Sequence, residues 1–145
     1  MNNRLEETVW VKFQMAYDEC PYVIGRMMVA VLAEIKERGL LTLEVFQYLC
    51  SHQATLDFKL HGWKLIIPAD GENGTLERRV ADRYYKDCVL EFDGKSYLIS
   101  SQLVAQSYLA LIEWVSRFGW SKDEVLQICE NRNVRRKLTR SKGKK

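Results

Sequence analysis

Apolar positions recur along this chain with two different periods. Leu5, Val9, Phe13 and Tyr17 return every four residues with Trp10 beside them, and Asn3 with Glu6 has the spacing of a capping box, so a first helix is expected there. Pro21 stops it and can occupy the first position of the next helix. Ile24, Met27, Met28, Val31, Leu32 and Ile35 follow helical spacing closely, and Gly39 falls where a left-handed C-terminal cap belongs. Thr42 can cap a third helix with Val45, Phe46, Leu49 and Cys50 on its apolar face. Helix, glycine turn and helix is the outline of a helix-turn-helix. Over 51–61 the pattern is mixed, with Leu56 and Leu60 able to continue a helical face that leaves Asp57 and Lys59 solvated.

The period then shortens. Residues 63–67 read as a strand ended by Pro68, and 69–75, with Asp-Gly and Asn-Gly, as a loop. Residues 76–83 fit either a short helix or a strand, and the helix is preferred. Segments 88–92 and 95–100 flank Asp93-Gly94, a two-residue hairpin turn that needs positive φ. That turn sets Phe92 opposite Lys95, Leu90 opposite Tyr97 and Cys88 opposite Ile99 on one face, with Val89 and Leu98 on the other. Ser100 or Ser101 is expected to cap a long helix carrying Val104, Tyr108, Leu111, Val115 and Phe118 in one stripe with Trp114 adjacent, ended by Gly119. Ser121 and Glu124 form a capping box for a last helix with Val125, Ile128 and Cys129 on one face. Val134 and Leu138 could extend it a little, and nothing apolar occurs from Thr139 onward.

The fold expected from these elements is α+β: a mainly helical single domain over 1–131 with a small antiparallel hairpin or sheet, followed by a basic, disordered tail at 132–145. A helix pair followed by strands and a hairpin has the element types of a winged-helix domain. The predicted core holds Phe13, Ile24, Met28, Val31, Leu32, Ile35, Phe46, Leu49, Leu90, Tyr97, Ile99, Leu111 and Val115.

Composition agrees with a packed domain: 145 residues, 47% of them hydrophobic, suffice for a real core. The longest apolar-leaning stretch, 23–32, is interrupted by Arg26 and too short to span a bilayer, and Glu6 and Glu7 precede any apolar run at the N-terminus. A soluble, cytoplasmic protein without a membrane partner is expected. Cys20, Cys50, Cys88 and Cys129 are far apart and share no C-x-x-C spacing, which reads as four reduced cysteines.

Charge changes the picture more. The net charge is +3, yet every acidic residue lies at or before Glu130, whereas eight of the 22 basic residues follow it. The body carries a net −5 and the tail +8. Such a tail can contact an anionic partner or the body itself.

Catalytic chemistry finds no support. Cys50, His52 and His61 are the clustered soft ligands, but a zinc site wants a fourth, and positions 50 and 52 of a helix point about 200° apart. Asp57 with Lys59, and Glu91, Asp93 and Lys95, supply fragments of a magnesium nuclease centre; Asp93, however, belongs to a tight turn where its side chain bonds local backbone. There is no nucleophile elbow, phosphate loop or dinucleotide fingerprint. No metal and no cofactor are expected.

Two basic clusters remain. Arg132, Arg135, Arg136, Lys137 and Arg140 in the tail could each neutralise a phosphate. Arg78, Arg79, Arg83 and Lys86 surround Tyr84 and Tyr85, and basic residues interleaved with aromatics can grip a backbone and stack bases. On a helix Arg79 and Arg83 would share a face, whereas Glu77, Asp82 and Asp87 blunt the patch. The function expected is a non-enzymatic module binding DNA or RNA, which would place it in the cytoplasm, nucleoid or nucleus. The alternative is a small regulator or inhibitor whose acidic body engages a basic protein partner.

Overall fold

A computed structural model describes residues 20–60, 62–71 and 74–137. The expected first helix with its Asn3–Glu6 box, the core position Phe13, His61, Leu138 and Arg140 lie outside the described residues. Six α-helices and a three-stranded antiparallel sheet are described, an α+β fold: α1 (Ile24–Glu37), α2 (Leu43–Leu49), α3 (His52–Asp57), β1 (Ile66–Pro68), α4 (Arg78–Ala81), β2 (Leu90–Phe92), β3 (Lys95–Ile99), α5 (Ala105–Val115) and α6 (Lys122–Asn131). Two helices of three turns follow the hairpin, so the likeness to a winged helix stops at the element types.

α1 is the central helix. Met27, Met28, Val31, Leu32 and Ile35 are wholly buried, and α5 and α6 pack against it. The predicted spacing holds through Glu37, and Gly39 closes the helix with φ +74°. Pro21, however, is not its first residue. Residues 21–23 run extended beside the C-terminal segment: the Val23 N–H donates to the Arg135 carbonyl and the Lys137 N–H to that of Pro21, both at 2.9 Å, with Tyr22 bridging Arg136. The folded body continues through Lys137, because Val134 packs on the core and the following backbone finds partners in 21–23.

Thr42 and Ser51 cap α2 and α3, their hydroxyls accepting the N–H groups of Val45 at 3.2 Å and Ala54 at 3.3 Å. Leu56 does not continue an apolar face: it is 52% exposed, because α3 ends at Asp57 and the chain reverses through Lys59 to bury Leu60 instead.

The sheet order is β1-β3-β2. Asp93 and Gly94 both take positive φ, 55° and 80°, and the register pairs Phe92 with Lys95 and Leu90 with Tyr97 as the turn dictates. The Cys88–Ile99 pairing does not form, since β2 begins at Leu90 and the Ile99 carbonyl on that edge accepts the Tyr85 N–H at 3.0 Å instead. One sheet face carries Leu90, Ile66 and Ile99 into the main core, where Phe92 stacks on Phe46 at 4.2 Å and Tyr97 meets the same ring edge-on at 4.8 Å. The other face holds a satellite cluster of Ile67, Leu98 and Tyr84, covered by Leu76 and Val80. Leu98 is buried there as expected of the opposite face, but Val89 is 48% exposed.

Neither Ser100 nor Ser101 caps α5. Their N–H groups donate to the carbonyls of Leu65 at 2.8 Å and Arg83 at 2.9 Å, so the extended chain runs on past β3 and the helix starts at Ala105. Ser107 serves instead, its Oγ accepting from the Val104 N–H at 3.0 Å and donating to the Phe58 carbonyl at 2.6 Å. Ser121 caps α6 through the Glu124 N–H at 3.2 Å. No disulfide joins the four cysteines, and Cys20 and Cys129 are buried. Of the predicted core, Tyr97 is half-buried and every other described member is buried.

α1 approaches Tyr85 so closely that a Cβ built on Gly25 would lie 2.2 Å from the tyrosine oxygen. Gly25→Ala should therefore destabilise the protein by about 1–3 kcal/mol, despite alanine's better helix propensity. Urea denaturation checks this, and the loss should shrink in a Tyr85→Phe background, where the closest clashing atom is gone.

Candidate functional site

The cations singled out from sequence fall into two groups once folded. The first is absorbed by the molecule's own carboxylates. Arg132 donates from Nε to Glu34 at 2.9 Å and through its other nitrogen to Glu37. Glu34 also receives Arg38 at 2.7 Å, and Arg38 reaches Glu124 at 3.4 Å while lying over the Trp120 ring. Arg136 pairs with Glu130 at 3.0 Å above the ring of Tyr22, whose hydroxyl donates to the same carboxylate at 2.7 Å. Arg26, not singled out from sequence, makes a two-pronged pair with Asp87 at 3.0 Å and lies 4.0 Å from the centre of the Tyr85 ring. Lys86 pairs with Asp82 at 2.9 Å. Lys137 is half-buried and its backbone is engaged.

The second group faces solvent without a carboxylate at ion-pair distance. Among the described residues Arg78, Arg79, Arg83 and Arg135 are exposed and make no ion pair. Arg78 and Arg79 stand on α4, a single turn held over the satellite cluster by Val80. α4 ends at Ala81, so Arg79 and Arg83 do not share a helical face; Arg83 lies beyond the helix, 4.9 Å from the ring centre of Trp63. Trp63 is thus the aromatic partner of this patch. Tyr84 is not: it is 3% exposed, and its hydroxyl donates to the Lys64 carbonyl at 2.6 Å. A tyrosine on the inner face of a bridge to Ser100 has no ring face left for a base.

The carboxylates considered for nuclease chemistry stay apart from any such centre. Asp93 sits in the hairpin turn, Glu91 is exposed opposite Ser96, and Asp57 accepts from Tyr48 at 2.6 Å and Gln53 at 2.8 Å. Those two bonds hold Asp57 below the usual carboxylate range, while burial and the neighbouring Asp57 push the Tyr48 phenol well up. No three His, Cys, Asp or Glu side chains gather as metal ligands among the described residues. No described helix is long and apolar enough to cross a membrane.

A feature invisible in the sequence is a groove of about 610 Å³ between α2, the end of α3 and α5. Tyr48, Phe58 and Trp114 wall it, and Lys59, Gln106 and Arg117 stand around it. Tyr48 is more than sixty positions from Trp114, so no local spacing could have joined them.

Set beside known proteins, the chain matches no family model, no curated protein and no solved structure.

The division of the arginines has a measurable consequence. Arg132→Ala should cost about 1–3 kcal/mol, because it strips a partly buried carboxylate of one partner, whereas Arg78→Ala should stay within about 0.5 kcal/mol. Chemical denaturation of both variants checks this. Hydrogen bonds from Arg38 and Arg132 lower the pKa of Glu34 below its ordinary 4.5. The stability this provides is fully present above the unfolded value and disappears as pH falls through the folded one. Glu34→Gln should accordingly flatten the acid limb of a stability-versus-pH curve below about pH 4.5.

Proposed function

We propose that the protein is a non-enzymatic nucleic-acid-binding module that uses Arg78, Arg79 and Arg83 as its phosphate contacts and Trp63 as its aromatic platform. The observation that carries this reading is the contrast between arginines. Arg26, Arg38, Arg132 and Arg136 are engaged by carboxylates, but among the described residues the three at 78–83 face water without an ion pair, and Arg83 lies over the ring of Trp63. A guanidinium without a carboxylate keeps its full donor fork for phosphate, and an indole beside it can stack on a base of any sequence. Single-stranded nucleic acid fits best, since the aromatic beside the patch offers a stacking surface and α4, which carries Arg78 and Arg79, is a single turn, too short to fill a major groove. Arg135 and the cations after Lys137 would add sequence-independent attraction. The working compartment is then wherever that nucleic acid is: cytoplasm, nucleoid or nucleus.

One observation favours the second reading, a regulator that engages a basic protein through its acidic body. With Arg132 and Arg136 spent on Glu34, Glu37 and Glu130, fewer tail cations remain for phosphate than the sequence offers.

The test is fluorescence anisotropy of labelled single-stranded and duplex oligonucleotides across a salt series. Binding should weaken steeply with salt. The triple variant Arg78→Ala, Arg79→Ala, Arg83→Ala should reduce the logarithmic salt slope by about 2 for single strands while leaving the melting temperature unchanged. Absence of binding at low salt, or a slope the triple variant does not move, overturns the reading; retention of a basic protein partner by that variant would favour the second.

A further inference from the structure

The groove between α2, α3 and α5 has no part in that reading, and four features of it point the same way. Its volume, about 610 Å³, lies within the range of small-molecule sites, roughly 300–1,000 Å³. Its walls are aromatic: Trp114 stacks with Tyr48 at 6.0 Å and meets Phe58 edge-on at 5.9 Å. A flat apolar ring is the shape such walls accommodate with most contact.

The charges are the second feature. Arg117 lies 5.5 Å from the ring centre of Trp114 and 5.8 Å from that of Tyr48, and neither it nor Lys59 has an ion-pair partner among the described residues. Of the two carboxylates in the lining, Asp57 already accepts from Tyr48 and Gln53, and Glu113 is exposed on α5. The lining is formally neutral, two cations against two carboxylates, and the donors of Lys59 and Arg117 are held by no ion pair among the described residues.

The third feature is Lys59 itself. It follows α3 with φ +63°, a left-handed conformation in which glycine is common at helix ends and a side chain with a Cβ is strained. Glycine would meet the backbone requirement with less strain. What lysine adds is an ammonium at the rim of the groove. The fourth is the indole N–H of Trp114, which is buried and has no acceptor among the described residues. A buried donor without an acceptor is rare in folded proteins, and the indole that carries it belongs to the groove wall.

We infer that the groove is a binding site for a flat organic anion: an aromatic ring carrying a carboxylate or a phosphate, with the ring against Tyr48 and Trp114 and the anionic group between Lys59 and Arg117. The amide of Gln106 is placed to select among rings by hydrogen bonding.

The experiment is a titration of the full chain, labelled with nitrogen-15 at tryptophan and followed through the indole signals by NMR, with the Trp114 signal assigned from Trp114→Phe. Indole-3-acetate stands for the carboxylate source and adenosine monophosphate for the phosphate source; adenosine and inorganic phosphate are titrated separately. Saturable movement of the Trp114 signal with either anion supports the site and names its source, provided the ring alone and the inorganic anion alone bind at least about tenfold more weakly. Lys59→Gly should raise the melting temperature yet weaken binding about tenfold, opposite signs that a purely structural lysine would not give. Arg117→Gln should weaken binding by a similar factor, and the triple variant of Arg78, Arg79 and Arg83 should leave it unchanged. Failure of both anions to move the Trp114 signal at millimolar concentration, or equal affinity in the Lys59 and Arg117 variants, overturns the inference whatever the outcome with oligonucleotides.

Discussion

The rest of this structure depends on the burial of one face of α1. Five of its side chains are removed from water completely, and burial of a large aliphatic side chain is worth about 1.5–3 kcal/mol. No other helix described here is sunk so deeply. A central helix still has polar positions, and these emerge along the seams where other elements meet it. Arg26, Glu34, Glu37 and Arg38 all lie on such seams, and each is answered by a charge from far along the chain: Asp87, Arg132 or Glu124. Burial of the apolar face thus decides which surface charges are available to a partner.

The same constraint accounts for the C-terminal segment. α6 packs on α1, so the chain leaving α6 passes the start of α1. There its backbone pairs with residues 21–23, Val134 closes on the core, and the arginines on either side meet Glu34 and Glu130. Backbone donors and acceptors that would otherwise need water are satisfied by this pairing, which favours order in a stretch that is strongly basic by composition. What looks like an arm in the amino-acid sequence is, through Lys137, a part of the wall.

On the far side of the sheet a smaller cluster holds the exposed arginines. Tyr84 gives up its surface role to complete that cluster, and α4 is held in place by Val80. The arginines flanking these apolar anchors are left outside for the same reason: in the short stretch from Leu76 to Tyr84, Leu76, Val80 and Tyr84 turn to the cluster, Val80 being the one from α4. The aromatic groove arises differently, from the meeting of α2, α3 and α5, with the reversal at Lys59 setting its rim.

The helical face of α1, the caps at Thr42 and Ser121, and the Asp93-Gly94 register were legible from local pattern, because each rests on residues within a turn or two of one another; the cap at Ser51 was hidden in a mixed stretch. The exposed arginines at 78, 79 and 83 were legible as a basic cluster for the same reason. Trp63 as their ring partner, the loss of Arg132 and Arg136 to internal pairs, the late start of α5 and the groove walled by Tyr48 and Trp114 were not. Except for the Arg136–Glu130 pair, which spans six positions, each depends on a contact between residues tens of positions apart, and the energy that selects it comes from packing, which periodicity does not encode. Spacing along the chain fixed which side of each helix is apolar; only the packing of those sides decided which charges and rings were left to face a partner.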